Sequence, residues 1–420
     1  MNEASVSGLP TTEAHGILPN LHQFLLLVAN TVLVGATIGM ERTVVPLIGR
    51  NVYHLGTLAV MSFIVTFGLS KACLNLVAGR WSDRVGRRRV LVAGWLLGIP
   101  MIVLLLFVHQ WWAVLAANIL LGANQALAWT MTVTAQMDLA GPKQRGVAMG
   151  INEATGYIGV ALATGATGYI ASHFGLRTAP FLFGAVVVAA GLILSAGFIR
   201  ETRQFVHLEP LVGVEDADLG TGSAWRIFVY TSFVEPSLSS ATAGGLVNKL
   251  ADTVAWGALP LFFADRGLPI TTISLLAGLY TLTWGVGQFG TGLLSDAIGR
   301  KPPIVAGMFL LGIGLVLMPQ VNTVSAWAVA AMAMGAGMAL LYPNLNAAVG
   351  DVAPPSRRGV VLGVYRLWRD GGYALGGLLI GWLLGVWGAH WTISFIGGLV
   401  LITAVVIAMR MRETHHSVKR

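Results

Sequence analysis

Charge is what this chain has least of. Only 10% of its 420 residues are Asp, Glu, Lys or Arg, against about 25% in a typical soluble domain. So few charges cannot cover a soluble surface of this size. The shortage excludes an ordinary soluble enzyme, a disordered chain and a nucleic-acid binder. Cysteine is nearly absent as well. Cys73 stands alone, so no intramolecular disulfide can form. No Lys or Arg precedes Arg42, whereas Glu3 and Glu13 do. The basic leader of a signal peptide is missing, and the first apolar run is expected to be a retained span. The sequence has no Walker A loop, no HExxH and no nucleophile elbow. Its nine histidines fall mostly in loops and tails. ATP-driven work, metal catalysis and acyl transfer are disfavoured, and no cofactor, metal or enzymatic activity is expected.

What fills the space is apolar. Hydrophobic residues make up 55% of the chain, and the mean hydropathy is +0.74. The 53 glycines suit close helix packing in lipid. A spanning helix needs about 20 mainly apolar residues. Twelve such runs are expected, at 21–48, 57–79, 90–108, 112–137, 146–171, 178–199, 240–264, 271–293, 303–319, 325–349, 359–387 and 391–409. The fold class is therefore an all-α, multi-pass membrane protein. One long polar connection, 200–237, carries Arg200, Glu201, Arg203, Glu209, Glu215, Asp216 and Asp218. It separates a first unit, 1–199, from a second, 238–420, with six expected spans in each. Trp225, Ile227, Phe228, Tyr230 and Phe233 within it suit a short interfacial helix; a plain tether fits equally well.

Lys and Arg set the orientation. With the N-terminus inside, eighteen of the 26 fall in cytoplasmic loops or the tail, among them Arg84, Arg87, Arg88, Arg89, Arg300, Lys301, Arg410 and Arg412. Only Arg50, Arg177 and Arg266 fall outside. Both termini are thus expected in the cytoplasm.

The two halves repeat at an offset of 213 residues. Gly79, Ser82, Asp83, Gly86, Arg87 and Gly94 match Gly292, Ser295, Asp296, Gly299, Arg300 and Gly307. Asp138, Pro142, Arg145, Gly146 and Gly150 match Asp351, Pro355, Arg358, Gly359 and Gly363. Six spans per repeat give both halves one orientation. The repeats are parallel, related by a pseudo-twofold axis along the membrane normal.

The stretch GRWSDRVGRRR from Gly79 to Arg89, echoed by GLLSDAIGRK from Gly292 to Lys301, resembles the loop signature of the major facilitator superfamily. The resemblance covers nearly the whole chain. Within that superfamily, GLVNKLADTVAWG from Gly245 to Gly257 is similar to a bacterial branch. The resemblance implies two six-helix bundles forming a monomeric, multi-pass carrier in the lipid bilayer of the bacterial inner (plasma) membrane. It implies a secondary active transporter that moves a small-molecule substrate by alternating access, coupled to protons, with efflux slightly favoured. Uptake by a symporter or uniporter of a polar metabolite, a metal or a metal chelate is the alternative. A non-transporting receptor or a membrane-embedded enzyme is the alternative of a different class. The gating motif would be Gly79, Asp83, Gly86, Arg87, Asp296 and Arg300. Asp83 would meet the start of the eleventh span near 356–359 and hold the cytoplasmic gate shut. Alone, the arginines of this loop read as topology anchors.

A charge in the bilayer centre costs at least about 2.5 kcal/mol, yet nine ionisable residues fall within spans: Glu41, Arg42, Lys71, Glu153, Lys249, Asp252, Arg366, Arg369 and Asp370. They are proton or substrate candidates, or structural pairs. Glu41 follows a long apolar run and is the first choice for a proton site. By the resemblance, spans 1, 4, 7 and 10 line a central cavity. Asn248, Asp252, Ala255 and Trp256 share one face of the seventh span, and Lys249 is placed to pair with Asp252. Glu153 and Arg366 are repeat mates of opposite sign. Arg366 shares a face with Arg369 and Asp370, and a Lys71–Asp370 bridge would join the halves. Asn124 and Gln125 on the fourth span, and Tyr342 and Asn344 on the tenth, add polar candidates. Two departures weigh against a standard drug/proton antiporter. Asn118 stands where an arginine is usual, and Gly156 to Gly165 lacks the usual proline.

Overall fold

The computed structural model describes residues 15–141, 144–206, 224–354 and 357–415. Among these, helix dominates and no strand occurs. The helices are α1 (Leu21–Arg42), α2 (Val44–Asn51), α3 (Thr57–Val85), α4 (Arg87–Phe107), α5 (Trp111–Ala140), α6 (Arg145–Phe174), α7 (Thr178–Gly197), α8 (Arg203–Val206), α9 (Ala224–Val229), α10 (Pro236–Thr253), α11 (Leu259–Asp265), α12 (Ile270–Ile298), α13 (Lys301–Leu317), α14 (Val324–Val352) and α15 (Arg358–Arg410). Local chemistry sets several of their ends. Pro236 opens α10, where the Glu235 side chain accepts from the Leu238 N–H, a cap that satisfies an orphan donor. The aromatic linker segment is α9 followed by a π turn at Tyr230–Val234.

Nine segments among the described residues are long and apolar enough to cross a membrane, against the twelve runs expected. The differences have physical causes. Gly, Thr and Tyr dilute the hydropathy of α6. α10 carries Asn248, Lys249 and Asp252, and a π segment at Val254–Ala258 parts it from the seven-residue α11. The 53 residues of α15 are two helices meeting at Gly388, whose φ of 72° breaks the helical path. Each part has its own partner: Thr57 Oγ1 donates to the Gly381 carbonyl before the break, and Arg410 donates to the Phe233 carbonyl after it.

α1 packs along α6 and α7, and α4 along α5 and α7. α10 packs along α15, and α13 along α14 and α15. Two long contacts join the early helices to the late ones: α3 against α15 and α6 against α12. Small residues make them close. A methyl group at Gly377 would lie 2.6 Å from Val65 Cγ2, and one at Gly285 would lie 2.9 Å from the Ala154 carbonyl oxygen. In lipid, where apolar surface gains nothing by meeting apolar surface, such close approach is what holds helices together.

Candidate functional site

Two of the long helices break at corresponding places. α1 ends at Arg42 and α2 starts at Val44, because Pro46 offers no N–H to the Arg42 carbonyl and its ring crowds that oxygen. α10 ends at Thr253, and the π segment leads into Pro260. A π-bulge of this kind often marks a functional site.

An ion cluster sits between the breaks. Arg42 donates through Nη1 to Asp252 Oδ1 (3.0 Å) and through Nη2 to Oδ2 (3.2 Å). Lys249 Nζ lies 3.4 Å from Oδ2. Tyr280 donates to Oδ1 at 3.1 Å, and Tyr373 to Oδ2 at 2.5 Å. All five side chains are buried. The carboxylate has no capacity left for a ligand. Lys249 is also ringed by Trp284, Tyr342 and Tyr373, at 4.7, 5.1 and 5.1 Å from their centroids, a cation–π setting. Beyond this cluster Arg50 pairs with Asp265 and donates to the Leu261 carbonyl. Phe63 and Phe67 of α3 close on Trp256 at 5.7 and 4.9 Å. This end of the space between the early and late helices is shut.

On the other side of an aromatic layer lies a cavity of about 60 Å³. That is room for a few waters, each of which needs roughly 10–15 Å³ of such space. Tyr157, stacked on Trp284 at 3.6 Å, and Tyr342 form the layer. Lys71, Asn75, Gln125, Trp129, Glu153, Asn346, Arg366 and Arg369 also line the cavity, which runs toward Thr134, Met137 and Met149 near the ends of α5 and α6. Asp370 holds Arg369 in a two-pronged pair (2.9 and 3.0 Å) and accepts from Asn75 at 2.6 Å. Trp129 Nε1 donates to Glu153 Oε1 at 3.0 Å, while Glu153 Oε2 and Arg366 Nε are buried without a partner among the described residues.

Basic loops edge the face toward which the cavity runs. Arg87 binds Asp83 (2.6 Å) and Asp138 (3.2 Å). Arg300 binds Asp296 (2.7 Å) and Asp351 (3.3 Å) in the second copy. Two glutamates complete the networks. Glu201 accepts from the Arg87 and Arg88 N–H groups at the start of α4. Glu413 accepts from those of Arg300 and Lys301 at the start of α13. The positions just before favour glycine. Gly86 has φ +102° and Gly299 φ +94°, and a methyl group on either would fall 2.3 or 2.4 Å from the glutamate oxygen. Burial opposes ionisation of Glu413, but the His415, Arg300, Lys301 and Thr414 N–H groups outweigh it and hold its carboxyl below the usual range.

The sequence candidates separate into three groups. Gln125, Glu153, Tyr342, Arg366 and Arg369 line the cavity. Asp370 stands behind it, and Arg42 and Asp252 form the saturated cluster. Asn124, Asn344, Asn248 and Trp256 line no part of it. Asn124 donates to the Gly94 carbonyl on α4, and Asn344 to Leu340 within its own helix. Asn248 and the Trp256 indole nitrogen are buried without partners among the described residues. Glu41 is fully buried away from the cavity. Asn118 lies near enough to interact with it, yet neither carboxyl oxygen meets hydrogen-bond geometry with any described partner.

Two expectations differ and one falls partly outside the described residues. Asp370 is satisfied by Arg369 and Asn75, so Lys71 forms no ion pair with it and instead faces the Phe67 and Trp129 rings at 5.6 and 5.7 Å. Asp83 is 67% exposed and bound to Arg87; its expected contact at 356–359 lies partly outside the described residues. The face drawn through Asn248, Asp252, Ala255 and Trp256 is turned by the π segment beginning at Val254. Glu201 and Glu413 were missed, although the tripeptide Arg-Glu-Thr at 200–202 and again at 412–414 signals them. Tyr373 was missed too, although it falls seven residues after Arg366 on the face already drawn through Arg369 and Asp370.

The sequence profile of the Major Facilitator Superfamily matches residues 26–238 and 241–420. An uncharacterized MFS-type transporter of Salmonella typhimurium is 24% identical over 388 residues, covering 90% of this chain and 93% of the relative. Multidrug resistance protein MdtG of Salmonella arizonae is 24% identical over 353 residues, covering 82% of each. The crystal structure of a D-xylose-proton symporter superposes with a TM-score of 0.75 at 16% identity, covering 94% of this chain and 98% of that one. These relatives are transporters, not enzymes.

Proposed function

The chain belongs to the major facilitator superfamily, and on that premise we propose that it is a proton-coupled secondary transporter of a small polar solute, with export the favoured direction. The observation that carries the reading is the one-sided cavity. Charged and polar groups line it between the early and late helices, while Arg50–Asp265, Phe63, Phe67 and Trp256 close the opposite end. Rocking of the units 1–199 and 238–420 across the α3–α15 and α6–α12 contacts would exchange the open and shut ends, as alternating access requires. The excess of Lys and Arg on the face toward which the cavity runs supports a cytoplasmic placement of that face. Export is supported by the likeness to a multidrug resistance protein.

Glu41 is the proton site in this reading. Asp252 is saturated by Arg42, Lys249, Tyr280 and Tyr373. A buried carboxyl with neither oxygen satisfied is far better placed to carry a proton, since an unpaired buried carboxylate is costly. The test is flux in proteoliposomes. Radiolabelled acidic, basic and neutral solutes are offered with and without an imposed pH gradient, to wild type and Glu41→Gln. Wild type is expected to accumulate at least one solute under the gradient, and Glu41→Gln to retain exchange without accumulation. Accumulation indifferent to the gradient would remove proton coupling. Accumulation by Glu41→Gln would move the proton to Glu153.

A further inference from the structure

The interior holds five cations, Arg42, Lys71, Lys249, Arg366 and Arg369, and four carboxyls, Glu41, Glu153, Asp252 and Asp370. Their pairing is uneven. Arg42 and Lys249 share Asp252. Arg369 has Asp370 to itself. Two cations remain, Lys71 and Arg366. Among the described residues neither has a carboxylate within 4 Å, and both line the cavity. Glu153 faces the same space with one oxygen held by the Trp129 indole and the other unpartnered. The cavity therefore carries one surplus positive charge with Glu153 ionised, and two with it protonated.

We infer that the cavity, which at about 60 Å³ has room only for water in this form and must widen as the helices rock apart, binds a small organic anion, a monocarboxylate with a planar apolar body, through Arg366 and Lys71. This rests on the transporter reading and names its substrate class. A guanidinium offers paired donors that match the two oxygens of a carboxylate, and an ammonium adds a compact second charge. Lys71 and Arg366 are half-buried, and between helices, where the effective dielectric is below that of water, unpaired cations attract an anion more strongly than they would on an open surface. An amine of the same shape meets two cations and one carboxylate that already accepts from Trp129, so the arrangement rejects it by charge. The rings of Trp129, Tyr157 and Tyr342 line the same space, with Tyr157 lying 5.4 Å from Trp129 and 5.9 Å from Tyr342. Such edge-on walls suit a flat body. Asp252 has no room for a competing role as a substrate carboxylate, and Glu41 lies outside the cavity.

The test is a binding measurement, independent of transport. The purified protein in detergent is titrated with benzoate, acetate, benzyl alcohol and benzylamine at constant ionic strength. Indole fluorescence and the melting temperature are read together. Benzoate is expected to give a saturable change, acetate a weaker one, and benzyl alcohol and benzylamine none. Arg366→Gln and Lys71→Gln should each weaken benzoate at least tenfold while melting close to wild type. Arg366→Lys, which keeps the charge and loses the fork, should fall between. Benzylamine binding as tightly as benzoate, or benzoate binding unchanged in both glutamine variants, would overturn the assignment. So would the absence of any saturable carboxylate response in a preparation that melts cooperatively. Benzoate that binds yet is not moved in proteoliposomes would keep this site and defeat the transporter reading instead.

Discussion

Two groups of buried charge lie on either side of one aromatic layer, and they are built on opposite plans. Around Asp252 every carboxylate lone pair is taken by Arg42, Lys249, Tyr280 or Tyr373. In the cavity Lys71 and Arg366 lack a carboxylate, and Glu153 has one idle oxygen. Removing a partner from a complete buried pair strands a charge, whereas an incomplete set has surplus valence for a ligand. The contrast teaches that saturation is what distinguishes a closed ion cluster from a set of charges with valence to spare, and on the proposed function only the second would meet a solute. The Asp252 cluster is fully buried, and Lys71 and Arg366 are half-buried.

The sharpest way to break this contrast is at Asp252. Asp252→Asn leaves Arg42 and Lys249 without a counter-charge and is expected to cost about 3–5 kcal/mol of stability. Lys249→Met leaves the Arg42–Asp252 pair intact and should stay within about 1 kcal/mol of wild type. Removing all three charges together should recover most of the loss, because apolar replacement of a whole buried ion group is often close to neutral. Unfolding in detergent reads all three. An Asp252→Asn variant as stable as wild type would mean that the cluster is not what closes this end.

Glu153 offers an intermediate case, half satisfied. Glu153→Gln keeps an acceptor for the Trp129 indole and should melt near wild type. Glu153→Leu strands that buried N–H and is expected to cost about 1–3 kcal/mol. No ion pair joins Glu153 to Arg366 among the described residues, so exchanging their charges should not rescue the single variants in flux. Equal melting of the Gln and Leu variants would remove the indole bond from the account.

At the basic face the same distinction predicts small stability effects with unequal effects on flux. Asp83 and Asp296 are 67% and 58% exposed, each with an i,i+4 arginine. Such pairs contribute about 0.3–0.5 kcal/mol, so neither Asp→Asn variant should unfold the protein. Asp83→Asn is nonetheless expected to lower flux strongly, through a gate contact made in the other conformer. Asp296→Asn should lower it less, since the second copy has fewer basic residues. Equal losses, or none, would count against gating.

Glu413 should show the smallest effect, and its sign follows from linkage. Its carboxyl is held below the usual value by four backbone N–H groups that outweigh its burial. Its contribution is therefore complete above the unfolded value, about 4.3, and is lost as pH falls through the lower folded value. The melting temperature of wild type should fall more steeply than that of Glu413→Gln on acidification from pH 5. Parallel slopes would show that the carboxylate does not cap α13.

The sequence already contained much of this. Scarce charge and long apolar runs determined a membrane protein of helices, because lipid leaves backbone groups no partner outside the helix. The 213-residue repeat determined that motifs would come in pairs, and the Asp83–Arg87 and Asp296–Arg300 pairs do. Nine ionisable residues within the expected spans were legible too, because each is conspicuous by its cost. Three-dimensional structure alone decided how those charges divide. Asp252 meets Arg42 across 210 positions of chain, and Asp370 meets Asn75 across 295. Helical periodicity reaches only three or four residues along one helix, so it exposed Lys249 as a partner of Asp252 and was silent on Arg42. Pro46 and Pro260 were visible in the sequence, but whether a proline gives a kink, a gap or a π segment depends on which neighbours take up the freed carbonyls. For the same reason Lys71 and Arg366 could be named from the sequence as cations within expected spans, while their lack of a carboxylate is a property of the packed helices.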